Sequence, residues 1–140
     1  SPRRILLLGA ILYILALTLP SLQLLYQSGH IERQRGYMLL YGWALTPVGV
    51  LAWYANPCWL LSAYFTLRQK PAPALVTGAI AVLLGLTTPL MPLSQLPVFQ
   101  GRVDRLRLLP GFWIWIAALA AAPAAAWLSR VTLPQHNSTS

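Results

Sequence analysis

Acidic side chains are almost missing from this chain: in 140 residues only Glu32 and Asp104 carry a carboxylate, against ten Lys and Arg. Two acids cannot supply a paired-carboxylate active site inside the membrane or a carboxylate metal cage. Cysteine is as scarce. Cys58 stands alone, so no intramolecular disulfide and no CxxC thiol relay can form. No His or acid lies near it, and it reads as a small apolar residue packed beside Pro57 and Trp59 rather than as a nucleophile. The two histidines, His30 and His136, sit in separate polar stretches, which argues against bis-histidine haem ligation. Charge of either sign is also low, at 9% of residues, where an ordinary soluble domain carries about 25%.

What fills the space is apolar. Hydrophobic residues make up 57% of the chain, which points to a membrane protein rather than a water-soluble fold. The formal charge of +8 does not signal nucleic acid, because the cations are scattered at the margins of apolar runs instead of gathering on one polar face. Cations belong at such margins, since one at the bilayer centre costs roughly 2.5 to 3.5 kcal/mol on insertion scales.

The pattern predicts an all-α, polytopic membrane protein with about four crossings, at roughly 5–26, 48–67, 72–90 and 110–128, each near the 20 apolar residues a span needs. The first follows Pro2-Arg3-Arg4 and lacks a small-x-small cleavage pattern after Pro20, so it reads as a retained anchor whose helix kinks or ends near Leu19. Residues 27–35 read as a solvated polar loop; the spacing of His30 and Glu32 fits no metal motif.

The stretch from Gly36 to Leu67 is too long for one ordinary crossing and too short for two, and it is broken at Thr46-Pro47-Val48-Gly49 and at Asn56-Pro57. Proline disfavours helical backbone in the residue before it, so Asn56 is expected in a turn, capping a helix that Pro57 opens. We read 36–46 as a short interfacial or re-entrant helix and the crossing as starting near Val48 or Pro57. The elbow residues Trp43, Pro47, Trp53, Tyr54, Asn56 and Pro57 form the candidate surface for a partner or lipid. An interrupted backbone in lipid leaves polar groups that some neighbour has to satisfy.

Ala74, Gly78, Ala81 and Gly85 recur at separations of four, three and four and form a small-residue helix-packing face. Val103, Leu106 and Leu109 recur every three residues, predicting an amphipathic surface helix with Arg102, Arg105 and Arg107 as headgroup anchors. The last crossing carries Trp113, Trp115 and Trp127 as an interfacial aromatic belt, and 129–140 is a polar, disordered tail.

Gly42-Trp43, Ala52-Trp53-Tyr54-Ala55-Asn56-Pro57 and Pro110-Gly111-Phe112-Trp113-Ile114-Trp115 together resemble a loose set of uncharacterised small bacterial inner-membrane proteins with a GW, AWxANP and PGxxxW pattern in this order. The resemblance spans roughly residues 5–128 and implies an architecture, not an activity. Four crossings divide the cations equally between the two sides, and the Arg3-Arg4 pair with the two acids on the opposite side places both termini in the cytoplasm. With no ionisable group inside a span, neither an enzyme nor a proton-coupled transporter is expected. No cofactor and no metal are expected. The expected role is binding, as an accessory subunit of an envelope complex or an immunity-type protector against a membrane-acting toxin, with lipids and a larger membrane protein or a second copy as partners. A channel, transporter or lipid-handling component is the alternative.

Overall fold

A computed structural model describes residues 1–36, 51–90 and 103–132. Helix α1 (Pro2–Thr18) opens with proline in its first turn, where the missing N–H bonds to nothing anyway, and it stops two residues before Pro20. The stop is local chemistry. Pro20 pushes Leu19 out of the helical region to φ −84°, ψ 153°, and the chain continues extended as β1 (Pro20–Tyr26). It reverses through Gly29, whose φ of 81° suits a residue without a Cβ, and returns as β2 (Ile31–Arg35). Far along the chain β3 (Val103–Leu108) pairs with the other edge of β1, giving an antiparallel sheet in the order β2-β1-β3.

This sheet corrects the all-α expectation in three places. Residues 20–26 are not the end of a first crossing, 27–35 is a hairpin rather than a loop, and 103–108 is a strand rather than an amphipathic helix. Alternation explains the last point: Leu106 and Leu108 turn inward while Arg105 and Arg107 turn out, a period of two that the three-residue spacing of Val103, Leu106 and Leu109 concealed.

The remaining helices are α2 (Ala55–Leu67), α3 (Pro71–Leu86) and α4 (Pro110–Thr132). A single 3-10 turn, Ala52–Tyr54, leads into α2. Between α2 and α3 the chain turns within three residues. Gln69 takes a left-handed φ of 56°, and the Lys70 and Gln69 amides donate to the Phe65 and Thr66 carbonyls, which closes the α2 terminus as a Schellman motif.

Length overturns the four-crossing reading. At 1.5 Å per residue α1, α2 and α3 reach only about 20–26 Å, short of the roughly 30 Å of a hydrocarbon core. Among the described residues only α4, with 23 residues, is long and apolar enough to cross a membrane.

The helices are assembled with small residues inside and large apolar ones outside. On α3 the buried residues are Ala74, Gly78, Ala81 and Gly85, whereas Val76, Ile80 and Leu83 face outward. On α4 the buried set includes Ala118, Ala122, Ala125 and Ala126. Gly9 of α1 lies so close to α4 that a Cβ there would sit 2.6 Å from that of Ala121. Outside, Leu7, Leu8, Ile11 and Ile14 of α1 and Leu60, Leu61 and Leu67 of α2 are exposed. Phe112, Trp115 and Leu119 of α4 fill the centre together with Trp59 and Leu22. A smaller cluster of Leu24, Tyr26 and Val103 lies farther out along the sheet.

Candidate functional site

The described residues place one polar group at the heart of the helical body. Asn56 sits in the first turn of α2 and is 6% exposed. Its Oδ1 accepts a hydrogen bond from the Tyr13 hydroxyl of α1 at 2.7 Å and a second from the Trp115 indole N–H of α4 at 3.2 Å. Both lone pairs of the amide oxygen are engaged, and because an indole N–H can only donate, this assignment fixes which way the amide points. Trp59, one helical turn on, stacks on Tyr13 with ring centroids 4.9 Å apart and an interplanar angle of 11°. Its own indole donates to the Ala118 carbonyl at 3.0 Å. Four side chains thus tie α1, α2 and α4 into a neutral polar and aromatic node.

Comparison with protein-family models, curated proteins and solved structures returns no match. The site is therefore read from its chemistry alone. An amide that accepts from a half-buried phenol and a buried indole, with a second indole stacked on the phenol, offers recognition and rigidity. Among the described residues no three His, Cys, Asp or Glu side chains come together.

Of the elbow residues, Asn56 does not act as a helix cap: the capping position is Tyr54, without a side-chain cap bond, and Asn56 lies inside the helix. The backbone accommodates this because Pro57 also falls within the first turn, where a missing N–H breaks no helical bond. Trp53 is half-buried and meets the exposed Tyr54 edge-on with centroids 5.3 Å apart. Trp43, Pro47, most of the 36–46 segment and the anchor Arg102 lie outside the described residues, as does most of the tail. Arg105 and Arg107 are exposed on β3. Of the tryptophan belt, Trp113 and Trp127 are outward-facing, but Trp115 is buried in the node.

Sequence reasoning missed Tyr13 and Trp115 as partners of Asn56, and Trp59 as the ring stacked on Tyr13. One signal was available in Tyr13, an aromatic residue with a polar tip in an otherwise apolar stretch of α1, because a buried phenol needs an acceptor.

The small face of α3 has its own partners. A Cβ on Gly78 would meet Pro123 Cδ and Ser62 Oγ, each at 2.7 Å, and one on Gly85 would meet Ile116 and Leu119. Ser62 donates to the Ala74 carbonyl at 2.6 Å. The proline inside α4 is thus seated against a glycine of α3. At the other end of the bundle, a cleft of about 370 Å³ lies between Arg3, Thr66, Gln69, Ser129 and Thr132. It brings the start of α1, the α2–α3 turn and the end of α4 to one side.

On the sheet, Glu32 accepts from the Tyr26 hydroxyl at 2.7 Å and from the Gln34 amide at 2.7 Å. Burial, reinforced by the Glu32 carboxylate, pushes the Tyr26 phenol up from 10.0 to about 12. A phenol held protonated in the fold loses its proton first in the unfolded chain, so this stabilisation is complete below pH 10 and disappears as the pH rises from 10 through 12. Thermal unfolding between pH 8 and 12 should show the midpoint falling over that window. Tyr26→Phe should flatten the fall, whereas an unchanged slope would disprove the Tyr26–Glu32 coupling.

Proposed function

We propose that this chain works as a membrane-embedded binding protein, an accessory subunit of an envelope complex or a protector against a membrane-acting toxin, seated in a bacterial inner membrane. One observation supports this reading above the others. Around a small aromatic centre the helices bury mainly alanine and glycine, and they present many leucine, isoleucine, valine and tryptophan side chains outward, an arrangement that water penalises and that lipid or an apolar protein partner accepts. In this reading α4 carries the membrane crossing, and the outward faces of the shorter helices beside it meet acyl chains and the transmembrane segments of the partner. The Tyr13–Asn56–Trp115 node holds those faces in a fixed relation, as a docking body requires.

The test is biochemical. The chain should resist carbonate extraction from membranes and co-purify in mild detergent with a second membrane polypeptide at fixed stoichiometry. Ile80→Asp combined with Leu83→Asp on the outward face of α3 should abolish that stoichiometric capture. A chain that elutes alone and moves a solute across liposomes would favour transport and overturn the binding role.

A further inference from the structure

The two faces of the sheet differ in charge, and the register shows how. Side chains alternate along a strand, so Leu22 and Leu24 of β1 share one face with Glu32 and Gln34 of β2 and with Leu106 and Leu108 of β3. The opposite face carries Gln23 and Leu25 on the central strand, Ile31, Arg33 and Arg35 on β2, and Arg105 and Arg107 on β3. All four of these arginines are exposed. In one row Gln23 pairs with Arg33 on one side and Arg107 on the other, so the two arginine backbones stand about 10 Å apart, two strand spacings. Guanidinium groups on stems of that reach can converge on one phosphate above the Gln23 amide, a geometry guanidinium groups favour.

No acid balances this face. Of the two carboxylates in the chain, Glu32 turns to the other face and is engaged by Tyr26 and Gln34. Asp104 makes only a loose, exposed pair with Arg105, at 3.7 Å. Like charges side by side on a sheet repel one another, and this chain concentrates four on one surface with only the loosely held Asp104 beside them.

The position of the face identifies the occupant. The start of α4 is fastened to the start of β1: the Leu109 amide donates to the Ser21 carbonyl at 2.9 Å, and a Cβ on Gly111 would sit 2.6 Å from the Pro20 carbonyl oxygen. Arg107 lies three residues before the first residue of α4, within about 10 Å of it along an extended strand, and Arg35 pairs with Pro20 at the end of β1 that adjoins α1. The polar layer on each side of a bilayer is about 5–8 Å deep, so an apolar α4 in the hydrocarbon leaves these cations at phosphate level.

From this juxtaposition we propose that Arg33, Arg35, Arg105 and Arg107, with Gln23 between them, form a binding face for the phosphates of anionic phospholipid headgroups. The proposal rests on the membrane seat given above. It joins cations about 70 residues apart in sequence into one site, which a row of separate anchors would not do.

The experiment uses the full chain reconstituted into lipid nanodiscs containing phosphatidylglycerol and phosphatidylcholine, followed by native mass spectrometry of the lipids retained. The parent chain should retain phosphatidylglycerol selectively. Arg33→Gln with Arg107→Gln should weaken that selectivity about 25-fold, each surface cation contributing roughly a factor of five. Arg33→Lys with Arg107→Lys should keep most of it, and Arg3→Gln with Arg4→Gln, at the other end of the bundle, should leave it unchanged. Circular dichroism confirms that each variant is folded. Unchanged selectivity in the Arg33/Arg107 double variant, an equal loss in the Arg3/Arg4 variant, or preferential capture of an acidic peptide over phosphatidylglycerol would each overturn the proposal. A chain that a carbonate wash strips from the bilayer would instead refute the membrane seat itself.

Discussion

Gly78→Leu should destabilise the protein strongly. Even a methyl group at this position would stand 2.7 Å from both Pro123 Cδ and Ser62 Oγ, and 2.8 Å from Pro123 Cβ. None of these atoms is the free end of a flexible chain. Pro123 is a ring inside α4, and Ser62 is fully buried and bonded to the Ala74 carbonyl. Leucine at 78 therefore has to separate α3 from both α2 and α4, and the expected loss is about 3 kcal/mol or more, at the upper end of what overpacking costs. Leu83→Val, on the outward face of the same helix, should cost well under 1 kcal/mol, because no tight contact limits it. Chemical denaturation in detergent compares the two, and equal losses would show that the small face has no special role.

The second large effect is expected from Asn56→Ala. The substitution removes an oxygen that two donors share and leaves the Tyr13 hydroxyl and the Trp115 indole N–H facing each other across the space it filled. Trp115 is only 1% exposed, so water does not readily replace the lost acceptor. An unsatisfied buried donor costs about 1–3 kcal/mol, and with two affected the loss should be about 2–4 kcal/mol. Restoring part of the match identifies the cause: Tyr13→Phe in the Asn56→Ala background removes one of the stranded donors and should recover some stability. A double variant whose loss is simply the sum of the two single losses would mean that Tyr13 and Asn56 are not coupled.

How much of this was legible in the sequence depended on the range of the interactions that decide each element. The three- and four-residue spacing of Ala74, Gly78, Ala81 and Gly85 is written within one helix and needs no partner to be read. Pro20 likewise announces the end of α1, because proline acts on the residue before it. The sheet is different. Residues 22–26 read LQLLY, apolar enough to pass for the end of a membrane helix, and only pairing with β2 on one edge and with β3 on the other makes the period-two pattern decisive. The β3 partner arrives some 80 residues later, so nothing local in β1 points to it.

Asn56 was misread for a related reason. Asparagine before proline is a sound signature of a cap when only neighbours are considered. Here the 3-10 turn Ala52–Tyr54 begins the helical backbone earlier, and donors on α1 and α4, neither near it in sequence, claim the side chain instead. The arginine face combines both difficulties. Its cations lie on separate strands, and they become one surface only after the register is known.

In the proposed membrane seat the outward apolar faces of the helices meet lipid or an apolar partner and not water. Spin labels placed singly at Ile14, Leu83 and Trp127, with Ala81 as the buried position and the exposed hairpin residue Ser28 as the aqueous one, in a Cys58→Ser background in lipid bilayers, test this. Labels at 14, 83 and 127 should collide readily with oxygen dissolved in the acyl region and be shielded from a water-soluble nickel chelate, while the label at 28 shows the reverse. Labels at 14 and 83 that meet the nickel chelate as freely as the label at 28 would contradict it.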